Sequence, residues 1–429
     1  MNKQWAVYQE SETFAARVAT LYGAGEGVLT AQKERYGKLV ERFEKRFGED
    51  AGELCFFSAP GRTEIGGNHT DHNNGRVLAA AVNLDTIACV AKTDDGVIVV
   101  DSEGFPPITV KIDALEVREA DFGTTLSLIR GTAGIMQQMG YKVGGFRATI
   151  SSSVLRGSGL SSSAAFEVLI CAILDGLYNG FVIDAKTRAV IAQKVENIFF
   201  GKPCGLMDQM ASSVGGMVTI DFETEDAKVE AIACDFAARG YALCVVNTGG
   251  NHGDLTDDDA AIRAEMEAVA AQFGKKVLRD VDEDEFYAAI PQLRKAVGDR
   301  AIVRAIHFYN DCRRAAQLCD AVRADDFDTF LRLIIEGGHS SFEFNQNAYS
   351  IKAPQEQGVP LALAISQKVL NGRGAWRLQG GGFAGTIQAF VPYDLLDSYR
   401  TAIDACFGEG SCHVLNIRNY GAVPVTPDM

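Results

Sequence analysis

Residues able to do chemistry are concentrated in four short stretches. The first is LRGSGLSSSAA, residues 155–165. Gly157 and Gly159 let backbone N–H groups approach an anion with no Cβ in the way. Ser161, Ser162 and Ser163 then open a run of helical character, AAFEVLICAILDGLYNG. A serine caps a helix, and the N–H groups of a helix N-terminus carry partial positive charge. Three serines in succession exceed what a cap needs. The stretch therefore reads as a phosphate cradle in which a hydroxyl can also ligate Mg²⁺, with an ordinary serine-capped loop as the alternative. It is not a Walker loop, because GxxxxGK[ST] occurs nowhere in the chain.

The second stretch, KVENIFFGKPCGLMDQM, brings the acids Glu196 and Asp208 into one short segment. Asp208 follows Leu206-Met207, where an acid is costly unless it is paired or functional. A buried acid capping a helix is the plainer alternative. The third, SAPGRTEIGGNHTDHNNG (58–75), crowds Arg62, Glu64, Asn68 and Asp71 together. Alone, such a stretch is usually a turn, yet paired Asn and Asp side chains also suit sugar hydroxyls. The fourth is GGGFAG, residues 380–385. It matches GxGxxG formally, but strand-like TIQAFV follows where a dinucleotide site requires a helix. A tight glycine hairpin is expected, or a turn that brings backbone close to a substrate.

These stretches need elements to position them. Residues 1–50 have apolar residues at helical spacing. ELCFFSAPGR reads as a strand ended by Pro60-Gly61, and DDG as a hairpin turn between Thr93 and Val97. Residues 122–140 are expected to be a helix and GGFRATISSSV a strand. The serine-led helix follows, then a second helix over AKTRAVIAQKVENIFFG. GGMVTIDFE and KVEAIACDF read as paired strands. From about 240 a second unit begins with the strand YALCVVNTGG. It continues with helices over 257–273 and 300–337, then a strand–glycine turn–strand over GAWRLQGGGFAGTIQAFVP. CHVLNIRN reads as a last strand. Strands and helices in mixed runs argue for an α+β protein of two domains, 1–238 and 239–429.

Composition narrows the function. The chain has 429 residues, 47% of them hydrophobic and 23% charged, which is globular and long enough for two cores. A net charge of −15 disfavours nucleic acid and anionic membranes, so a phosphate ligand must be held by local donors. The N-terminal stretch has no signal-peptide core, and no run reaches the ~20 apolar residues of a membrane span. The ten cysteines form no CxxC pair and the six histidines no HExxH. Reduced thiols in a cytoplasmic protein without zinc are expected.

Together the stretches resemble the galactokinase branch of the GHMP small-molecule kinase family, in order along nearly the whole chain after about residue 35. APGR…HTD…G (59–75) resembles the galactokinase signature, 155–165 the family's ATP-phosphate loop, and ENIFFGKPCGLMDQ (196–209) the segment with the catalytic acid. VVNTGGNH, GGHSSF and RLQGGGFAG resemble later blocks. The resemblance implies a two-domain GHMP fold with its active site in the interdomain cleft, and ATP- and Mg²⁺-dependent phosphorylation of a sugar, galactose at its C1 hydroxyl. It implies catalytic roles for Asp208 and Arg62. Gly157, Ser158, Gly159, Leu160, Ser161, Ser162 and Ser163 would cradle ATP, with Ser162 and Glu196 near Mg²⁺. Asn68, His69, Asp71, Gly205, Gly381 and Gly382 would surround the sugar. The protein is expected to act alone or as a small homo-oligomer.

The chain departs from the pattern where the sugar should bind. Asn68 stands where galactokinases usually have Glu, His72 where they have Tyr, and Thr63-Glu64 where they have Val-Asn. Gly66 stands for Ile and Leu155 for Pro, and Ala260 falls near the place of a pocket tyrosine. Two alternatives follow: a kinase of the same class for another sugar or sugar derivative, and a non-catalytic sugar and ATP sensor. The intact Ser161–Ala165 run and Asp208 speak against the sensor.

Overall fold

The computed structural model describes residues 2–25, 27–49, 52–154, 160–250 and 255–426. Helices α1 (Lys3–Tyr8), α2 (Glu12–Tyr22) and α3 (Val28–Phe47) come first. Then follow strands β1 (Leu54–Gly66), β2 (Arg76–Thr93), β3 (Val97–Ser102) and β4 (Ile108–Lys111), helix α4 (Thr125–Gln138) and β5 (Gly145–Ser152). Helices α5 (Ser162–Asn179), α6 (Ala185–Val195) and α7 (Met207–Val214) lead into β6 (Met217–Asp221) and β7 (Lys228–Ile232). The rest comprises β8 (Tyr241–Asn247), α8 (Thr256–Ala271), α9 (Glu283–Ala296), α10 (Asp299–Arg323), α11 (Phe327–Ser340), α12 (Gly358–Leu370), β9 (Ala375–Leu378), β10 (Thr386–Pro392), α13 (Leu396–Phe407), β11 (Cys412–Leu415) and β12 (Val423–Pro424).

Two sheets organise these elements. The larger has eight strands, with the path β12-β1-β2-β5-β3-β4 and with β6 and β7 attached through β2. The smaller has the order β11-β8-β10-β9. The sheets do not split the chain into contiguous halves at 238/239, because β12, near the C-terminus, pairs antiparallel with β1. CHVLNIRN is therefore not the last strand.

Three further expectations are corrected. β1 does not stop at Pro60-Gly61 but runs on to Gly66, across a register shift between Pro60 and Arg62. A bulge needs no ladder N–H from proline there. The DDG turn does not make a hairpin, since β5 lies between β2 and β3, antiparallel to the first and parallel to the second. The helix expected over 300–337 is two, because α10 ends at Arg323 and Asp326 caps α11 by accepting from the Thr329 N–H.

The N-terminal helices form a lid on the large sheet. Trp5, Phe14, Tyr36 and Phe56 bury their rings against one another. Beneath them Asp85 of β2 is fully buried. It accepts from Tyr22 Oη at 2.6 Å, from Arg35 at 2.5 Å and from Arg418 of the C-terminal tail at 3.1 Å. Burial pushes the Asp85 carboxyl up, but the Arg35 and Arg418 guanidiniums outweigh it and hold it below the usual range. A buried charge is tolerable only with such partners.

Candidate active site

A cavity of about 650 Å³ lies where β1, α7 and the start of α5 meet α8 and the glycine turn before β10. At its base Arg62 donates through Nε to Asp208 Oδ1 at 2.7 Å. The Ser161 hydroxyl donates to the other oxygen, Oδ2. Asp208 opens α7, and its side chain is 34% exposed towards the cleft, whereas Arg62 is buried. Burial raises the Asp208 carboxyl, but the Arg62 charge and the hydrogen bonds from Arg62 and Ser161 prevail and hold it below the ordinary range. It is an ionised acceptor aimed at open space.

Asp71 is the second carboxylate on the cavity wall. Burial, and then the negative charge of Asp208, push it up to about 6 against the pull of His69. Two neighbouring acids are thus shifted in opposite directions, a pattern that accompanies divided roles. Gly205 is pressed on Asp71: a Cβ there would stand 1.7 Å from Asp71 Oδ2. Opposite, the His69 Nε2–H donates to the Gly381 carbonyl at 3.0 Å, and Gly381 and Gly382 also line the cavity. Gly382 has φ +79° and its missing Cβ would fall 2.2 Å from the Asn347 carbonyl, so this turn requires glycine.

Glu196 lies at the end of α6 on the same wall and accepts from Gln209 Nε2 at 2.8 Å. Among the described residues no three His, Cys, Asp or Glu converge as a ready metal cage. A cation held here would take most of its ligands from water or substrate oxygens. α5 starts without a side-chain cap, because its N-cap residue Ser161 adopts φ 57° and spends its hydroxyl on Asp208. The N–H groups of its first turn are thus left for an anion.

Arg62, Asp208, Asp71, His69, Gly205, Glu196, Ser161, Ser163, Gly381 and Gly382 all reach this cavity. Leu160 does not. Its side chain is in the core, and its carbonyl accepts from the Arg62 N–H at 3.1 Å, tying the phosphate stretch to β1. Ser162 occupies the first turn of α5 but is not on the wall. Gly157 and Ser158, together with Gly159, lie outside the described residues.

Asn68 is a correction. Its side chain is wholly buried and off the wall. Nδ2 donates to Gly380 O at 2.7 Å and to Glu64, while Oδ1 accepts from Asn347 Nδ2 at 2.9 Å. Its backbone is clamped by Asp311 and His307, at 2.6 and 2.8 Å. A side chain so committed joins the two sheets' elements and has nothing left for a sugar. Sequence reasoning also passed over Lys202 and Gln209, both on the wall. A lysine inside the Gly-Lys-Pro turn, beside two acids, was the available signal for the first.

Residues 41–92 match the galactokinase galactose-binding signature and 127–216 the GHMP kinase N-terminal domain. The chain resembles the GHMP kinases over both of these stretches. The chain is 29% identical to a galactokinase of Streptomyces coelicolor, over 90% of this chain and 96% of that protein. It is likewise 29% identical to a galactokinase of Glaesserella parasuis, over 84% and 91%. Its fold matches Lactococcus lactis galactokinase complexed with galactose, with a TM-score of 0.78 at 24% identity, over 91% of this chain and 99% of that one. A Methanococcus jannaschii mevalonate kinase matches with a TM-score of 0.59 at 14% identity, over 85% and 99%. The described residues contain no helix long and apolar enough to cross a membrane.

Proposed function

We propose that this protein phosphorylates galactose at its C1 hydroxyl, using ATP and Mg²⁺ and giving galactose 1-phosphate and ADP. The observation that carries the reading is the Arg62–Asp208–Ser161 constellation in a cavity also lined by Asp71, His69 and Gly381. Bound ATP supplies the phosphoryl group, and Mg²⁺ neutralises its oxygens. Glu196, on the cavity wall, is the protein group assigned to the cation, and its hard oxygens suit Mg²⁺, which keeps several non-protein ligands. The first turn of α5 and the glycines before it are assigned to the phosphates.

Asp208 orients the C1 hydroxyl and takes its proton as the oxygen–phosphorus bond forms and the bond to ADP breaks. A carboxylate held this low is a weak base, so its main contribution is orientation, with proton transfer late. Arg62 stabilises negative charge as it develops on the attacking oxygen and the transferring group. Asp71 and His69 hold the sugar ring against Gly205 and the glycine turn.

The test is purified protein with ATP, Mg²⁺ and a panel of hexoses, the product being detected by mass spectrometry. Phosphorylated galactose is expected. Turnover of a different hexose alone would overturn the substrate and keep the class. Sugar binding without turnover would favour a sensor.

A further inference from the structure

We propose that Glu64 is a specificity-determining residue whose carboxylate accepts a hydrogen bond from one hydroxyl of the bound sugar. This rests on the sugar-kinase reading above. β1 keeps regular register with β2 from Arg62 to Glu64, opposite Ala81, Ala80 and Ala79. Alternation therefore turns Arg62 and Glu64 to the same face, and both line the cavity. Thr63, between them, points the other way, to Gln379 and Gln388.

Glu64 is a rigid acceptor with capacity to spare. Its side chain is only 2% exposed, so bulk water does little to satisfy it. Oε1 accepts from Arg377 Nη2 at 2.7 Å. Asn68 Nδ2 lies 3.1 and 3.2 Å from the two oxygens and also donates to Gly380 at 2.7 Å. An amide nitrogen has two hydrogens, so Asn68 has one to share between both Glu64 oxygens. Glu64 thus receives about two hydrogens where an ionised carboxylate has roughly four lone-pair sites. Oε2 has only the shared one among the described residues. Arg377 is itself fixed, donating to the carbonyls of Leu378 and Ile65. The buried Glu64–Arg377 pair therefore presents a preorganised acceptor beside Arg62, and what it selects is a donor. A hydroxyl fits, whereas a fluoro or O-methyl group at that position does not.

The experiment is a chemical double-mutant cycle on kcat/KM. Wild type and Glu64→Gln are each assayed with the hexose phosphorylated best and with its monodeoxy and monofluoro analogues. In wild type the analogues altered at one position should lose about 10- to 100-fold, the scale of a hydrogen bond to a charged group. In Glu64→Gln, where Arg377 retains the amide oxygen and the NH₂ faces the cavity, that penalty should fall to within about 3-fold, with the others unchanged. Penalties that carry over unchanged at every position would overturn the proposal. If thermal melting shows Glu64→Gln to be unfolded, Glu64→Asp, which keeps the charge for Arg377 but shortens the reach, is read the same way. Absence of turnover with every hexose would instead remove the sugar-kinase reading and this proposal with it.

Discussion

Replacing Gly205 by alanine tests the sugar side of the site with a single methyl group. The new Cβ would stand 1.7 Å from Asp71 Oδ2 and 2.3 Å from its Cγ. Ordinary contact starts near 3.4 Å, so the carboxylate must retreat by about 1.7 Å, the difference between 3.4 and 1.7. The clash meets the far end of a side chain, so the fold can yield and thermal stability should change little. Binding geometry cannot yield in the same way, because a misplacement of about 1 Å typically costs ~10²-fold. We expect kcat/KM for the sugar to fall by about 10²-fold, close to 2.7 kcal/mol of transition-state stabilisation, mostly through KM. The assay is steady-state kinetics with sugar varied at saturating ATP, beside a melting curve. Gly37→Ala in α3, away from the cavity, is the control: its Cβ would meet nothing nearer than Trp5 Nε1 at 3.5 Å, and it should stay within about 3-fold of wild type. Wild-type kinetics from a folded Gly205→Ala enzyme would refute the placement of Asp71 against the substrate.

Asp208→Asn should lose at least ~10² in kcat, the scale of a positioned acid–base group, while nucleotide affinity measured by calorimetry is kept. Asp71 gives a pH signature: with its carboxyl at about 6, KM for the sugar should climb as pH falls through 6, and Asp71→Asn should remove that dependence. The linked stability has the opposite sense. The folded protein holds the Asp71 proton more tightly than the unfolded chain, from the ordinary value of 3.8 up to about 6, so this group's contribution to stability improves as pH falls through that window. Asp71→Asn should therefore unfold at higher denaturant than wild type at pH 8 while being less active. Asp85→Ala strands the buried Arg418 guanidinium and the partly buried Arg35 and should cost about 3–5 kcal/mol in urea unfolding.

Much of the fold was legible because its signals are local. The periodicity of 162–179, the glycine turn between β9 and β10, and the β6–β7 pair all follow from short-range pattern. Pairings between distant segments were not. Nothing near Asp94 announces that β5 inserts beside β2, and Pro60 reads as a stop unless the bulge is known. Helices α9, α12 and α13 were missed: a proline interrupts α9, and α12 is nearly apolar throughout, which blurs its amphipathic period. In the site, Arg62, Asp208 and Asp71 were legible by type and neighbourhood. The placements of Asn68 and Glu64 were not. Which of two polar residues four apart reaches the cleft depends on Arg377 and Asn347, more than 270 residues further along.

The return of β12 to β1 has a bearing on how the protein is made. Phe56 N–H donates to Thr426 Oγ1 across 370 residues of chain, and Tyr8 Oη to the Val425 carbonyl across 417. A nascent first sheet therefore waits, with one edge of β1 unpaired, until the whole second sheet has left the ribosome. Such long-range closure is slow and leaves an open strand edge exposed in the meantime. The first sheet is therefore completed by the last part of the chain, with Arg418 and β12 closing on β1.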